Sequence, residues 1–357
     1  MNRAADLLAA LTAQVLPPDP AFARAARIRL DTLTKPPGSL GVLEDLAAQL
    51  AAISRTTRPQ ITRPVVLVAA ADHGVVAEGV SAYPQAVTRQ MVSNFLHGGA
   101  AINALAAAVG ARVVIVDAGV LTPPPDLPGL VRAAARRGTR NLRTTAAMTE
   151  AEATLAILLG AGVVGQIAAD GLDLLALGEM GIGNTTAAAC LTCAFAGATP
   201  QQTVGRGTGV DDAGLQRKRA VVTAALARAR PRAADPLHTL AELGGLEIAL
   251  LAGAALAAAA RRIPVLLDGY IATSAALAAA ALAPDLVGSL IAGHRSSEPG
   301  HHIALTHLGL RPLLELEMRL GEGSGAALAI PLVRAAAHVI SDMATFDEAG
   351  VAGRADD

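Results

Sequence analysis

The chain has 357 residues and a formal net charge of −1, and 52% of its residues are hydrophobic although only 2% are aromatic. This length fits one large domain, or one large and one small domain, whose core is built from Ala, Leu, Val and Ile. The near-neutral charge, without a basic block, is not that of a nucleic-acid-binding protein.

The first predicted element is an amphipathic helix in the segment MNRAADLLAALTAQ (1–14), which lacks the long apolar stretch of a signal peptide. The mean hydropathy of +0.45 raises the question of a membrane protein. However, the longest uncharged apolar run, 248–260, is too short to cross a bilayer and is largely alanine. We therefore expect no membrane partner and a cytoplasmic location.

Four short apolar runs alternate with alanine-rich helical stretches, and each run leads into an acidic residue or a glycine. The runs are 65–71, 113–116, 172–177 and 265–267. This pattern is typical of parallel strands that are buried on both faces and carry functional loops at their carboxyl ends. We therefore predict an α/β fold, a Rossmann-like parallel sheet with helices on both faces, and a site at that edge of the sheet.

The segments outside this alternation are predicted to be helical. TKPPGSLG (34–41) is a turn-rich break between two helices. We predict a large α/β nucleotide-binding domain over 60–300. A small helical domain would combine 1–59 with 301–357 and would contribute a glutamate-bearing glycine loop.

The stretch GAGVVG (160–165) formally matches the dinucleotide-binding pattern G-x-G-x-x-G. A true fingerprint follows a strand, whereas 150–159 has a helical pattern and Thr149 with Glu152 fits a capping box. We therefore place the three glycines inside a helix, where each costs roughly 1 kcal/mol relative to alanine. The sequence alone does not explain why three glycines are tolerated in a helix. A nicotinamide-dependent oxidoreductase therefore remains the alternative function.

The stretch GEMGIGNTT (178–186) joins the third apolar run to an alanine-rich helix. A strand that ends in glycines and opens into a helix commonly binds anions, because the backbone can approach the ligand and helix N–H groups face a phosphate. Glu179 is unfavourable beside a phosphate alone. The combination indicates a ligand with a phosphate and a sugar or a cationic ring, which is a nucleotide.

Two cysteines and a histidine-rich segment raise the possibility of a metal site. Cys190 and Cys193 form a C-x-x-C without a second cysteine pair, so we expect them to pack in the core. The histidines of GHRSSEPGHH (293–302) fit no standard zinc spacing, so we expect a hydrogen-bonding loop. We predict no metal ligand and no cofactor.

The stretch RLGEGSGA (319–326) places Glu322 between two glycines. Two interpretations are open: a helix-ending turn with a solvated glutamate, or a carboxylate held where a ligand must come close. In the second case, partial burial would raise the pKa of the carboxyl and let it act as a general base near neutral pH.

Together these motifs resemble one family, the nicotinate-nucleotide–dimethylbenzimidazole phosphoribosyltransferases of the cobalamin nucleotide-loop pathway. The resemblance covers nearly the whole chain after the first helix, with the motifs in order. The matching stretches are KPPGSLG (35–41), ADHGV (71–75), GVSAYPQ (79–85), VTRQM (87–91), VDAGV (116–120), GTRN (138–141), GEMGIGNTT (178–186), GRGTG (205–209), LLDG (266–269), SSEPGH (296–301) and LGLRPLLELEMRLGEGSGA (308–326).

The resemblance implies a large domain with a parallel sheet, a small helical domain formed from both termini, and a homodimer. It implies transfer of 5-phosphoribose from nicotinate mononucleotide to a ring nitrogen of 5,6-dimethylbenzimidazole, with inversion. The products would be nicotinate and α-ribazole 5′-phosphate, used for the lower ligand of cobalamin. The preferred acceptor base is left open, and a catalytically silent nucleotide- or azole-binding protein is a third alternative.

The resemblance also implies roles for individual residues, with Glu322 as the general base. The nucleotide and its phosphate would be bound by Glu179, Met180, Gly181, Gly183, Lys218, Asp268, Gly269, Ser296, Gly321 and Gly323. The benzimidazole would be bound by Ser81, Tyr83, Gln90 and Met318.

Overall fold

A computed structural model describes residues 3–353 and contains one seven-stranded parallel sheet. The strands are β1 (Pro64–Ala71), β2 (Arg112–Gly119), β3 (Leu130–Arg132), β4 (Leu174–Met180), β5 (Val265–Leu267), β6 (Leu290–His294) and β7 (Pro312–Leu314). Their order across the sheet is β3-β2-β1-β4-β5-β6-β7, and every neighbouring pair is parallel. The order reverses between β1 and β4, and open α/β sheets bind ligands beside such a switch point.

Helices connect the strands and cover the sheet. The α-helices are α1 (Arg3–Ala13), α2 (Pro20–Thr32), α3 (Val42–Ser54), α4 (Ala86–Leu96), α5 (Ala101–Val109), α6 (Glu150–Ala169), α7 (Asn184–Ala196), α8 (Pro200–Thr203), α9 (Asp212–Ala229), α10 (Pro236–Leu243), α11 (Leu246–Ala260), α12 (Tyr270–Leu282), α13 (Pro299–His307), α14 (Ser324–Asp342) and α15 (Phe346–Ala349). Short 3₁₀ helices span Gly74–Glu78 and Pro284–Ser289.

The predicted α/β fold with helices on both faces is confirmed. The alternate residues Val65 and Leu67 of β1 belong to a core that they share with α6, α7, α11 and α12. Val66 and Val68 belong to a second core with α2, α3, α5 and α14. Every residue of β1 is buried because the strand supplies side chains to both layers.

The four predicted strands correspond to β1, β2, β4 and β5. β4 continues to Met180, so Glu179 and Met180 belong to the strand and not to the loop that follows it. The prediction missed β3, β6 and β7. Each of these is short, and β7 begins with Pro312 at the sheet edge, where a missing N–H is tolerated.

The helical prediction for 301–357 is wrong at β7, which pairs with β6 in the main sheet. The terminal helices α2, α3 and α14 pack against one another, as expected of a joint helical layer. In contrast, α1 packs on α6 and α11 at the opposite face. The division into domains 60–300 and 1–59 with 301–357 remains a prediction.

The glycines of GAGVVG lie inside α6, which begins with the predicted capping box of Thr149 and Glu152. The dinucleotide-fingerprint interpretation is therefore wrong, because no strand precedes them. A Cβ on Gly160 would overlap the Leu250 carbonyl oxygen of α11, and one on Gly253 of α11 would overlap the Ile157 carbonyl oxygen of α6. The two helices thus touch backbone to backbone, which explains two glycines in helix interiors.

This contact predicts opposite effects of alanine at two positions in one helix. Gly160→Ala should lower the free energy of unfolding by about 1–3 kcal/mol, because the methyl group forces α6 and α11 apart. Gly162→Ala should raise it by about 0.5–1 kcal/mol, because this glycine is exposed and nothing lies within 4 Å of the added Cβ. Denaturant unfolding of both variants checks this, and equal effects would disprove the close helix contact.

By length and composition alone, three helical stretches within 3–353 could cross a membrane: Ala86–Val109, Glu150–Ala169 and Ser324–Asp342. The second and third are α6 and α14, which pack against α11 and α3 respectively. The cytoplasmic location and the absence of a membrane partner remain predictions.

Candidate active site

A cavity of about 340 Å³ lies at the carboxyl ends of β4, β5 and β6. Its wall combines the segments that follow these strands with the loop before α14, because parallel strands bring their carboxyl ends to one edge. The predicted site residues that line it are Tyr83, Glu179, Met180, Gly181, Gly269, Ser296, Gly321 and Glu322. The sequence therefore predicted much of one cavity from segments far apart in the chain.

The two glycine-rich stretches meet at this cavity. The Glu322 backbone N–H donates to the carbonyl oxygen of Glu179 at 3.1 Å. A Cβ on Gly178 would lie 2.5 Å from the Gly323 nitrogen, and one on Gly321 would overlap the Glu179 carboxylate. These glycines are needed because the two segments pack directly against each other beside the cavity, where a side chain would not fit.

Glu322 is only 5% exposed, so the interpretation as a solvated turn residue is wrong. Its φ of +64° lies in the left-handed region, which is unfavourable for a residue with a side chain and is often found at functional sites. Burial raises the pKa of its carboxyl, and the charge of Asp268 adds to this, although the Ile102 backbone N–H acts in the opposite direction. The side chain therefore has the burial and the raised pKa expected of a general base.

Asp268 holds the Glu322 loop and does not line the cavity. Its carboxylate accepts hydrogen bonds from the backbone N–H groups of Gly323, Gly325 and Ala326, at 3.1, 2.7 and 3.0 Å. An acid from the end of β5 thereby caps the N-terminus of α14, where negative charge is favourable. Asp268 therefore holds the loop that carries Glu322 in place through these hydrogen bonds, from outside the cavity.

This arrangement predicts that Asp268→Asn lowers both stability and turnover. The amide nitrogen cannot accept from the N–H groups, so we expect a loss of roughly 2–3 kcal/mol in unfolding free energy. We also expect kcat to fall about tenfold or more, because a small misplacement of a catalytic group is costly. The control Asp126→Asn, whose side chain is 98% exposed, should change neither. Thermal unfolding and steady-state rates check both effects, and an unchanged melting temperature would contradict the capping role.

Glu179 is buried, and the Asn184 amide donates to its Oε2. Burial raises the pKa of the Glu179 carboxyl to about 8, and the nearby charge of Glu247 adds to this rise. The carboxyl is therefore largely protonated at neutral pH. This removes the conflict between an acid and a phosphate noted in the sequence. Asn184 also lines the cavity, and the prediction missed it although it lies in GEMGIGNTT.

A second buried pair lies beneath the glycine loop and was also missed. His73 Nε2 and Glu247 Oε1 are 2.7 Å apart, and both side chains are fully buried. Burial lowers the pKa of His73, but the charge and hydrogen bond of Glu247 together with the charge of Asp72 outweigh it, so the pKa is raised. A Cβ on Gly181 would lie 3.2 Å from Glu247 Oε1, so the pair supports this loop directly. Glu247 is the one charged residue of the apolar helix α11, which is a signal that could have identified it.

Lys218 lies behind the cavity wall, and its side chain does not line the cavity. Its Nζ donates to Thr185 Oγ1 at 2.6 Å and to the Gly205 carbonyl at 3.2 Å. Burial lowers the pKa of Lys218 to about 8, although the charge of Glu298 partly offsets this. Glu298 lines the cavity and accepts from the Gly207 N–H at 2.9 Å, and the prediction did not single it out.

Gly183 and Gly323 occupy equivalent positions in the two loops. Each immediately precedes a helix, α7 and α14 respectively, with φ of +94° and +84°. Neither lines the cavity, but each starts a helix whose first N–H groups are directed towards that edge of the sheet. Their predicted roles in nucleotide binding remain predictions.

The four residues predicted to bind the benzimidazole differ in their position relative to the cavity. Tyr83 lines the cavity, together with Val87 and Met91, which the prediction passed over. Val87 and Met91 are four residues apart on α4 and share one face, whereas Gln90 is exposed and does not line the cavity.

Ser81 and Met318 are connected to the cavity through neighbouring residues. The Ser81 hydroxyl lies 3.2 Å from that of Thr208, a lining residue. The Met318 carbonyl accepts from the Ser297 N–H at 3.1 Å. The roles of Ser81, Gln90 and Met318 in binding the acceptor remain predictions.

The histidine-rich segment forms hydrogen bonds. Burial lowers the pKa of His301 to about 3, so the ring is neutral. Its Nδ1 accepts from the Ser296 N–H at 2.9 Å, and its Nε2 is then the donor to Thr273 Oγ1, also at 2.9 Å. Within 3–353, no group of three or more His, Cys, Asp and Glu residues is arranged to hold a metal ion. Cys190 and Cys193 are buried in α7 and pack in the core, as predicted.

Comparisons with known proteins agree with this fold. The sequence model of a phosphoribosyltransferase family matches residues 15–351. The nicotinate-nucleotide–dimethylbenzimidazole phosphoribosyltransferase of Chloroflexus aurantiacus is 52% identical over 346 residues, covering 97% of this chain and 99% of that protein. The protein of the same name from Thermus thermophilus is 54% identical over 333 residues, covering 93% and 99%.

A crystal structure bearing this enzyme's name, also from Thermus thermophilus, matches with a TM-score of 0.90 at 52% identity. The match covers 94% of this chain and all of that one, at 100%. The family inferred from the motifs is therefore confirmed. The chain belongs to the nicotinate-nucleotide–dimethylbenzimidazole phosphoribosyltransferase family.

Proposed function

We propose that the protein transfers 5-phosphoribose from nicotinate mononucleotide to 5,6-dimethylbenzimidazole, with Glu322 as the general base. Relatives that are 52–54% identical over nearly their whole length carry the name of this reaction. The observation that carries the assignment of the base is the position of Glu322. It is a buried carboxylate in a left-handed backbone conformation, at the wall of the cavity formed by both glycine loops.

The chemistry requires one base and little else. The leaving ring of nicotinate mononucleotide is a cationic pyridinium, so its departure removes a positive charge and needs no acid. The benzimidazole, in contrast, must lose its N–H proton as its other nitrogen attacks C1′. A carboxylate with a raised pKa beside that proton serves this purpose.

The glycine loop after β4 would hold the donor. Its 5′-phosphate would lie at the start of α7, near Gly181 and Gly183, with the charge of Lys218 acting from behind through Thr185. Attack on C1′ from the face opposite the departing nicotinate turns a β-linkage into an α-linkage. Inversion therefore follows without a covalent intermediate, and positioning contributes much of the remaining rate.

The two raised carboxyl pKa values predict a bell-shaped pH profile for kcat/KM. Glu322 must be ionised to act as a base, so activity should fall as the pH drops through its raised pKa, at a higher pH than for an ordinary glutamate. Glu179 ionises near pH 8, which adds a negative charge beside the donor phosphate, so activity should also fall on the alkaline side. Rates from about pH 5 to about pH 9.5 test this. An acidic limb that persists unchanged in Glu322→Gln would remove Glu322 as its origin.

Acceptor-dependent release of nicotinate tests the reaction itself. Purified protein with nicotinate mononucleotide should release nicotinate only when dimethylbenzimidazole or another azole is present. Release without an acceptor would indicate a hydrolase. A folded protein that binds the nucleotide but releases nothing with any azole would favour a silent binding protein.

We also propose that the protein forms a homodimer in the cytoplasm and requires no cofactor. The dimer rests on the resemblance to the family, the absence of a cofactor rests on the chemistry described above, and the location is the expectation from the sequence. Light scattering on the purified protein tests the dimer, and a monomer at micromolar concentration would overturn it. Fractionation of cells tests the location.

A further inference from the structure

The acidic residues that line the cavity are Glu179, Glu298 and Glu322. None of them attracts an anionic group of the substrate, and Glu179 is largely protonated at neutral pH. Nicotinate mononucleotide carries two separate anionic groups, the 5′-phosphate and the ring carboxylate. The phosphate has a place at the start of α7. The carboxylate therefore needs a cationic partner elsewhere on the wall.

Among the residues of 3–353 that line the cavity, two can carry a positive charge, His294 and Arg319. His294 is buried with its Nε2 3.5 Å from Asp268 Oδ1, so an acid already lies beside it. Arg319 is exposed and forms no ion pair with an acidic residue of the described chain. Arg319 is therefore the lining cation available to a ligand.

The guanidinium of Arg319 is held in place at one end and free at the other. Its Nη1 donates to the carbonyl oxygen of Gly207, which also lines the cavity, at 3.3 Å. A guanidinium has five N–H donors in a planar fork, and this contact uses one of them. The remaining donors can bind a carboxylate through two parallel hydrogen bonds, the geometry that arginine provides and lysine does not.

We propose that Arg319 binds the ring carboxylate of the donor and thereby selects nicotinate mononucleotide over nicotinamide mononucleotide. This inference rests on the proposed function for the identity of the donor. Arg319 is three residues from Glu322 on the same loop, so donor selection and proton removal depend on one segment. The amide lacks the charge and the second acceptor oxygen, and it leaves the guanidinium without its charge-assisted pair.

The test combines two changes in the protein with three donors. Nicotinate mononucleotide carries the carboxylate and the phosphate, nicotinamide mononucleotide lacks the carboxylate, and nicotinate riboside lacks the phosphate. Wild type, Arg319→Gln and Arg319→Lys are compared for kcat/KM, and the dissociation constants of the two mononucleotides are measured by calorimetry. Arg311→Gln is the matched control, because this arginine is exposed and does not line the cavity.

Arg319→Gln should lower kcat/KM by about 10- to 100-fold with both carboxylate donors and by less than about threefold with the amide. Arg319→Lys should lie between, and Arg311→Gln should match wild type. Equal losses with acid and amide would overturn the proposal in favour of a role in holding the Gly207 loop. A loss that persists with the amide but disappears with the riboside would assign Arg319 to the phosphate instead.

The binding measurements separate this inference from the proposed reaction. If the wild type forms no ribosylated azole, the proposed function fails, but the calorimetric comparison still decides the role of Arg319. A tenfold or larger weakening of nicotinate mononucleotide binding alone supports it. Unchanged discrimination between acid and amide overturns it, whether or not the protein turns over.

Discussion

Glu322→Gln should reduce kcat by about 10²- to 10⁴-fold while the dissociation constant of nicotinate mononucleotide changes little. The glutamine retains the size and the backbone conformation of the original residue but cannot take the azole proton. Because the acceptor N–H must be lost in the transfer, no other step can compensate. Rapid-quench or steady-state rates, together with calorimetric binding, measure the two quantities separately.

A control for this substitution lies five residues upstream. Glu317 also has a positive φ, of +55°, but it is exposed and does not line the cavity. Glu317→Gln should therefore retain the rate of the wild type. If Glu322→Gln turned over at nearly the rate of the wild type, Glu322 would not be the base. A similar loss in both variants would point to a general effect on the loop.

Nicotinate riboside should be a poorer donor than its 5′-phosphate by on the order of 10²- to 10³-fold in kcat/KM. In the proposed binding mode, the start of α7 and the buried Lys218 behind Thr185 hold the phosphate, and the riboside would leave this position empty. Binding energy from this remote group helps position C1′ between the acceptor and the leaving ring.

A variant of Lys218 tests where that energy comes from. Lys218→Met should lower kcat/KM with the phosphorylated donor and have a much smaller effect with the riboside, since the lysine acts on the phosphate. Initial rates with both donors measure this. Equal rates of the wild type with both donors would contradict the placement of the phosphate, and equal losses in Lys218→Met would reduce the lysine to a structural role.

The parts of the fold that the sequence predicted have strong local signals. The capping box of Thr149 and Glu152 marked the start of α6, and the apolar run before Asp268 gave the limits of β5. The three missed strands are short, and β7 is held at the sheet edge by its pairing with β6. Pairing between distant segments determines such strands, and a local pattern does not record it.

The candidate site shows the same division between local and long-range information. Glycine and acid spacing singled out Glu179, at the end of β4, and Glu322, in the loop before α14, and both residues line one cavity. Glu247, in contrast, lies in the first turn of α11 and reaches the site through its pairing with His73, 174 residues away. Contacts between residues so far apart in the chain form only when the helices pack on the sheet, and the local sequence does not reveal them.

The anomeric configuration of the product is the measurement that tests the central claim most directly. Wild-type protein is supplied with nicotinate mononucleotide and dimethylbenzimidazole, and the ribosylated azole is isolated and assigned by NMR. In-line attack in this cavity predicts the α-anomer, formed in equal amount to the nicotinate released. A β-anomer would contradict direct displacement, and free phosphoribose without ribosylated azole would contradict transfer altogether.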